Sequence, residues 1–142
     1  MIAQLIEFSL RHPKLIKITI GLFCFAISIE LVRIFFWTRP LSSTLTSVFI
    51  NRKDAKVLDL RSQDSFLKGH IPDSQHSPYV RLAQIIQDLP REKPIILITE
   101  YGEPSFKALR LLRRGGFKKL YHLEGGIETW QNAHLPLVFQ ND

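Results

Sequence analysis

The chain has 142 residues, 45% of them hydrophobic, a formal net charge of +6 and a single cysteine, Cys24. That length holds one folded domain plus an appendage, and a lone thiol excludes a disulfide framework within the chain. The charge divides as +3 on either side of Leu41, so the folded part is only mildly basic, and with no basic tract interleaved with aromatics there is no basis for a nucleic-acid partner.

Apolar residues concentrate in the first forty positions. Ile18 to Ile29 carries no charge, and extending to Trp37 gives about twenty residues, interrupted only by Glu30 and Arg33. Twenty helical residues span about 30 Å, the hydrocarbon thickness of a bilayer. Trp37 suits the interface. Glu30 and Arg33 can meet on one helix face, and Arg33 can snorkel toward headgroups. The segment 1–40 therefore reads as a transmembrane anchor with flanking basic residues. A cleaved signal peptide would need a small-x-small site after the apolar run, which is absent. An interfacial helix is the other competitor, because the uncharged core is short. Arg11, Lys14 and Lys17 at one end nearly balance Arg33, Arg39, Arg52 and Lys53 at the other, so the flanking charges leave the orientation open.

Pro40 is expected to end the anchor, and residues 41–142 to form the folded domain. The Ser42-Ser43-Thr44 cluster can cap a short helix through Leu45, Val48 and Phe49. Lys56 to Leu60 reads as a buried strand and Asp64 to Lys68 as one helical turn. Gly69 to Gln75 is a loop. Ser77-Pro78 is expected to start a helix running to about Leu89, with serine as the cap and proline at the first helical position. Ile95 to Thr99 is a continuous apolar run, as a central parallel strand covered on both faces requires. After the loop Glu100 to Pro104, Ser105 to Arg114 reads as a helix with Phe106, Leu109 and Leu112 inward, stopped by Gly115-Gly116. Leu120 to Leu123 is a strand, Gly125-Gly126 a turn, and Ile127 to Ala133 a last helix carrying Trp130. Strands alternating with helices predict an α/β domain built on a parallel sheet.

Four local patterns, in this order, resemble the rhodanese family: Asp59-Leu60-Arg61 at the end of the first strand; Gly69-His70-Ile71-Pro72; the strand, loop and helix from Ile95 to Arg114; and Leu123-Glu124-Gly125-Gly126-Ile127 followed by Trp130 and Leu135-Pro136. Together they cover about Leu45 to Val138. The layout of one apolar segment and one domain is similar to small bacterial membrane-anchored rhodanese-like proteins. The resemblance implies a rhodanese-like fold, a parallel sheet flanked by helices and preceded by one transmembrane helix. Asp59, Arg61, Gly69, His70, Gly125, Gly126 and Trp130 are its expected structural residues. Asp59 can accept backbone N–H groups, Arg61 can hold a loop, and Gly69 and Gly126 suit left-handed backbone. Trp130 is expected in the core and His70 in a loop. The five histidines show no ligand spacing, so neither a metal nor a cofactor is expected.

In that family the loop after the central strand begins with a cysteine that carries sulfur as a persulfide. The matching loop here is Thr99-Glu100-Tyr101-Gly102-Glu103-Pro104-Ser105. A threonine hydroxyl forms no persulfide and is a poor nucleophile without an adjacent base. Glu100 and Pro104 stand where the family often has arginine, and Glu100 and Glu103 would repel anionic donors. Cys24, some 20 Å down the anchor from Trp37, cannot substitute, since a thiol in lipid stays un-ionised. The expectation is a catalytically inactive module with no catalytic residue and a vestigial loop, tethered to a bacterial inner membrane with its domain in the cytoplasm. Its expected partners are a membrane protein or a basic segment; sulfur transfer by a non-standard route is the alternative. Lys107, Arg110 and Arg114 share one helix face, either simply solvated or in contact with anionic lipid or an acidic partner.

Overall fold

The computed structural model describes residues 12–36, 38–103 and 105–139, with the side chains of 33–36 left aside; the expectations for Arg11, the Arg33 side chain, Trp37 and Pro104 lie outside these. The chain divides into two compact units, Met1–Trp37 and Thr38–Asp142. The first contains helix α1, Pro13–Phe36. Its stretch Pro13–Val32 is apolar and long enough to cross a membrane, and none of it is buried. Leu22, Phe23, Phe25 and Leu31 are each at least 60% exposed.

The second unit begins three residues before the expected boundary at Leu41. Arg39–Leu41 forms strand β1, paired in parallel with β5, Leu120–Leu123. Pro40 reads as a stop in sequence, but an edge strand tolerates a residue that cannot donate. Helix α2, Ser43–Lys53, is capped by Ser42, whose side chain accepts the N–H of Leu45. Strand β2 is Lys56–Asp59, helix α3 Gln63–Leu67 and strand β3 Gln75–His76. Helix α4 is Tyr79–Ile85, strand β4 Ile95–Ile98, helix α5 Phe106–Arg114 and helix α6 Gly126–Asn132.

The five strands form one parallel sheet in the order β1-β5-β4-β2-β3, with β4 at its centre. Its side chains alternate between two cores. Ile95 and Leu97 pack with Leu82 of α4 and Leu109 and Leu112 of α5 on one face. Ile96 and Ile98 pack with Leu41, Val57, Ile127 and Trp130 on the other. The uninterrupted apolar run of β4 follows from this double coverage, and each such side chain stabilises the fold by roughly 1.5–3 kcal/mol.

Three local expectations need correction. Gln75-His76 is a strand, not the end of a loop, and Ser77 continues it by donating its N–H to the Asp59 carbonyl at 2.7 Å. Ser77 Oγ bonds the Gln75 carbonyl, so Pro78 takes the cap position, and α4 stops at Ile85 instead of reaching Leu89. Phe106 points outward and is 73% exposed. The buried face of α5 is set by Ala108, Leu109 and Leu112. At about 100° per residue Phe106 falls more than 100° from the centre of that face.

Candidate functional site

The loop after β4 starts at Thr99, and two contacts fix its start. The Thr99 carbonyl accepts the N–H of Ile127 at 3.2 Å, and its Oγ1 accepts the N–H of Gly102 at 3.0 Å. The hydroxyl thus closes the loop on itself, satisfying a backbone donor locally. Gly102 is buried with φ of +89°. A Cβ there would lie 2.4 Å from the Gly125 nitrogen, and one on Gly126 would lie 2.3 Å from the Glu100 carbonyl oxygen. Three residues without side chains therefore let the loop seat directly on the turn that opens α6.

A second support stands beside it. Asp59, fully buried at the end of β2, accepts the Arg61 backbone N–H at 3.0 Å and the Arg61 guanidinium at 2.8 Å. The same guanidinium donates to the Gly69 carbonyl at 2.8 Å. Arg61 therefore ties the end of β2 to the loop after α3, and its charge is matched where it sits. His70 stacks on Phe66 with ring centroids 3.8 Å apart, and its Nδ1 lies 3.0 Å from the Phe66 carbonyl. Its backbone exchanges two hydrogen bonds with Val138. Trp130 is buried and donates Nε1–H to the Pro136 carbonyl.

Between these supports lies a cleft of about 470 Å³, lined by Arg61, Lys68, Glu100, Tyr101, Glu128 and Gln131 among others. Five residues of the sequence motifs meet here: Arg61, Gly69, Glu100, Tyr101 and Ile127. Glu103 and Ser105 are exposed and do not line the cleft, and His70 and Trp130 serve the scaffold instead. Sequence reasoning missed Lys68, Glu128 and Gln131. Lys68 adjoins the Gly69-His70 motif and Glu128 follows Gly125-Gly126 in the first turn of α6, so proximity to those motifs was the available signal. Because Asp59 neutralises Arg61, the free charges lining the cleft are Lys68 against Glu100 and Glu128. Tyr101, 79% exposed, adds an aromatic face. Such a lining disfavours an anion and suits a cation beside an aromatic ring.

A central parallel strand, a loop seated on a Gly-Gly turn and a Asp-Arg pair beneath the adjoining cleft define an α/β domain of rhodanese type. Residues 46–133 match the family described as Rhodanese-like domain, and the chain belongs to that family. It is 33% identical over 87 residues to the thiosulfate sulfurtransferase GlpE of Coxiella burnetii, covering 61% of this chain and 80% of that one. It is 32% identical over 85 residues to the GlpE of Pseudomonas fluorescens, covering 60% and 78%. A rhodanese-related protein from Thermoplasma volcanium superposes with a TM-score of 0.58 at 28% identity, covering 70% of this chain and 97% of that structure.

Proposed function

We propose that this chain is a membrane-tethered rhodanese-like module that does not transfer sulfur and acts by binding a partner at the membrane surface. The observation that carries this is Thr99. It heads the loop where the family resemblance implies a nucleophilic cysteine, and its Oγ1 accepts a backbone N–H from Gly102. Among the described residues the hydroxyl's hydrogen bond is to a backbone N–H and not to a base, which leaves it a poor nucleophile, and oxygen cannot hold a persulfide sulfur. The chain's one thiol, Cys24, belongs to α1, in the other compact unit. Glu100 and Glu128 make the cleft a poor host for thiosulfate and a better one for a basic segment of a membrane protein. The unburied apolar helix α1 supports an anchor; a bacterial inner membrane with the domain in the cytoplasm rests on the family resemblance of the layout alone.

The relatives named thiosulfate sulfurtransferases favour a second reading, sulfur transfer by a route without that cysteine. Thiosulfate-to-cyanide sulfur transfer by the purified full chain separates the two. The wild type is expected to be silent for want of a thiol in the loop, and Thr99→Cys because Glu100 and Glu103 remain. Thr99→Cys combined with Glu100→Arg and Pro104→Arg is expected to gain turnover and to gain the mass of one sulfur atom after thiosulfate treatment. Turnover by the wild type would establish the second reading and end the first.

A further inference from the structure

Strands β1, β2, β4 and β5 run in parallel and start at one edge of the sheet, with Lys56 opposite Ile95 and Arg39 opposite Tyr121. That edge collects cations. Arg39 opens β1; Arg52 and Lys53 close α2, and Lys56 opens β2. Arg91 and Lys93 lead into β4, and Arg113, Arg114, Lys118 and Lys119 lead into β5. The carboxylates there are Asp54, Asp88 and Glu92, and Asp54 is already paired with Lys93. The opposite edge has the reverse sign. Asp64, Glu100, Glu103, Glu124 and Glu128 follow the strand ends, against Lys68, Arg81, Lys107 and an Arg61 already neutralised by Asp59, so five carboxylates outnumber the free cations. The domain is thus polarised along its strands.

The basic edge also has shape. A cleft of about 500 Å³ lies between the end of α2 and the starts of β4 and β5, walled by Lys53, Lys93 and Lys119 over the rings of Phe49 and Tyr121, with Asp54, paired to Lys93, and Glu92 also in its wall. Lys53 Nζ stands 3.8 Å from the Phe49 ring centroid, and Lys119 Nζ donates to the Glu92 carbonyl at 3.0 Å. Ammonium groups beside aromatic rings suit the headgroup level of a bilayer, where phosphates meet the first apolar layer. The covalent path points the same way. Only Trp37 separates α1 from Thr38, and one residue reaches at most about 3.6 Å, so a bilayer crossed by α1 stays within reach of the edge where β1 starts.

We propose that this basic edge docks on the headgroups of anionic phospholipids, holding the loop 99–105 and its cleft away from the bilayer. The proposal rests on α1 crossing that bilayer. An acidic protein partner would use the same charge but would show no dependence on lipid composition.

The test uses the full chain in nanodiscs with nitroxide-headgroup lipid, made either of phosphatidylcholine or with about 30 mol% phosphatidylglycerol. In a Cys24→Ser background, a bimane probe is attached at Glu92→Cys on the basic edge or at Glu103→Cys on the acidic one. Quenching at Glu92→Cys is expected only in the anionic discs, relieved by about 0.5 M NaCl, because the Debye length then falls to a few ångströms. Lys118→Gln and Lys119→Gln should each weaken the docked population about fivefold. Glu103→Cys should stay unquenched throughout. Equal quenching in both kinds of disc, or at both positions, would overturn the proposal. Resistance of the chain to carbonate extraction reads the anchor separately. If the chain is extracted yet binds phosphatidylglycerol vesicles in a salt-sensitive way, the anchor reading falls and the basic edge stands.

Discussion

Asp59 and Arg61 are two residues apart in sequence and both are shielded from water, which makes each dependent on the other. Removing one leaves the other charge uncompensated, so Arg61→Ala should cost about 3–5 kcal/mol in a urea-unfolding measurement. Arg61→Lys should recover only part of that, because an ammonium cannot span the Asp59 carboxylate and the Gly69 carbonyl with a planar fork. Full recovery by lysine would show that only the charge matters. Gly102 presents a different demand. Gly102→Ala combines a left-handed φ with a Cβ driven against the backbone of Gly125, whereas Gly116→Ala at a similar φ of +88° meets nothing within 4 Å. Gly116→Ala should therefore cost about 1–2 kcal/mol and Gly102→Ala clearly more, with the loop displaced. Equal losses would mean the loop seat yields freely. The Asp59-Leu60-Arg61 pattern was readable from sequence because its partners are near neighbours. The seating of Gly102 on Gly125 and Gly126 was not, since those residues meet only after two intervening elements have folded.

At the scale of elements, legibility followed the strength of the local pattern. Strand β4 appeared where its apolar run placed it, and β5 at the expected Leu120–Leu123. Strand β3, two half-buried polar residues, has no pattern to read and exists because it extends the pairing of β2. Strand β1 was hidden by Pro40. Its attachment to β5 includes a buried contact between the Thr38 hydroxyl and His122 Nδ1. Burial pushes the pKa of His122 below its ordinary value, with Glu124 opposing in the other direction. The neutral imidazole is therefore favoured in the folded state. As pH falls through about 6.5 the unfolded chain takes up a proton that the folded chain resists, so folding stability declines toward lower pH. His122→Gln should flatten that part of the stability-versus-pH curve, at the cost of a lower plateau from the lost contact with Thr38. An unchanged slope in the variant would show that His122 does not carry the pH dependence.

At the scale of the whole molecule, the sequence displays two compositions, and the structure assigns them to two compact units. The apolar run was plain in the residues, since periodicity is not needed to see twelve uncharged positions in a row. The separation of charge between the two sheet edges was not, because it depends on which strand ends lie together. Of Lys107, Arg110 and Arg114 on one face of α5, only Arg114, at the end of that helix, belongs to the basic edge. Helix α1 admits a direct test of what it is for. A helix that belonged to the core of a water-soluble fold would be buried, and a charge placed in its middle would unfold the domain. None of Pro13–Val32 is buried, and Phe23 is 66% exposed. Phe23→Arg should therefore leave the thermal unfolding of the domain unchanged while shifting the chain from the carbonate-resistant membrane fraction toward the soluble one. A guanidinium at the centre of a spanning helix costs about 2.5–3.5 kcal/mol on insertion scales, enough to change the partition by a factor of about a hundred or more. If Phe23→Arg instead lowered the melting temperature of the domain, α1 would be part of the folded core, and the tether would have to be abandoned along with the membrane-surface role built on it.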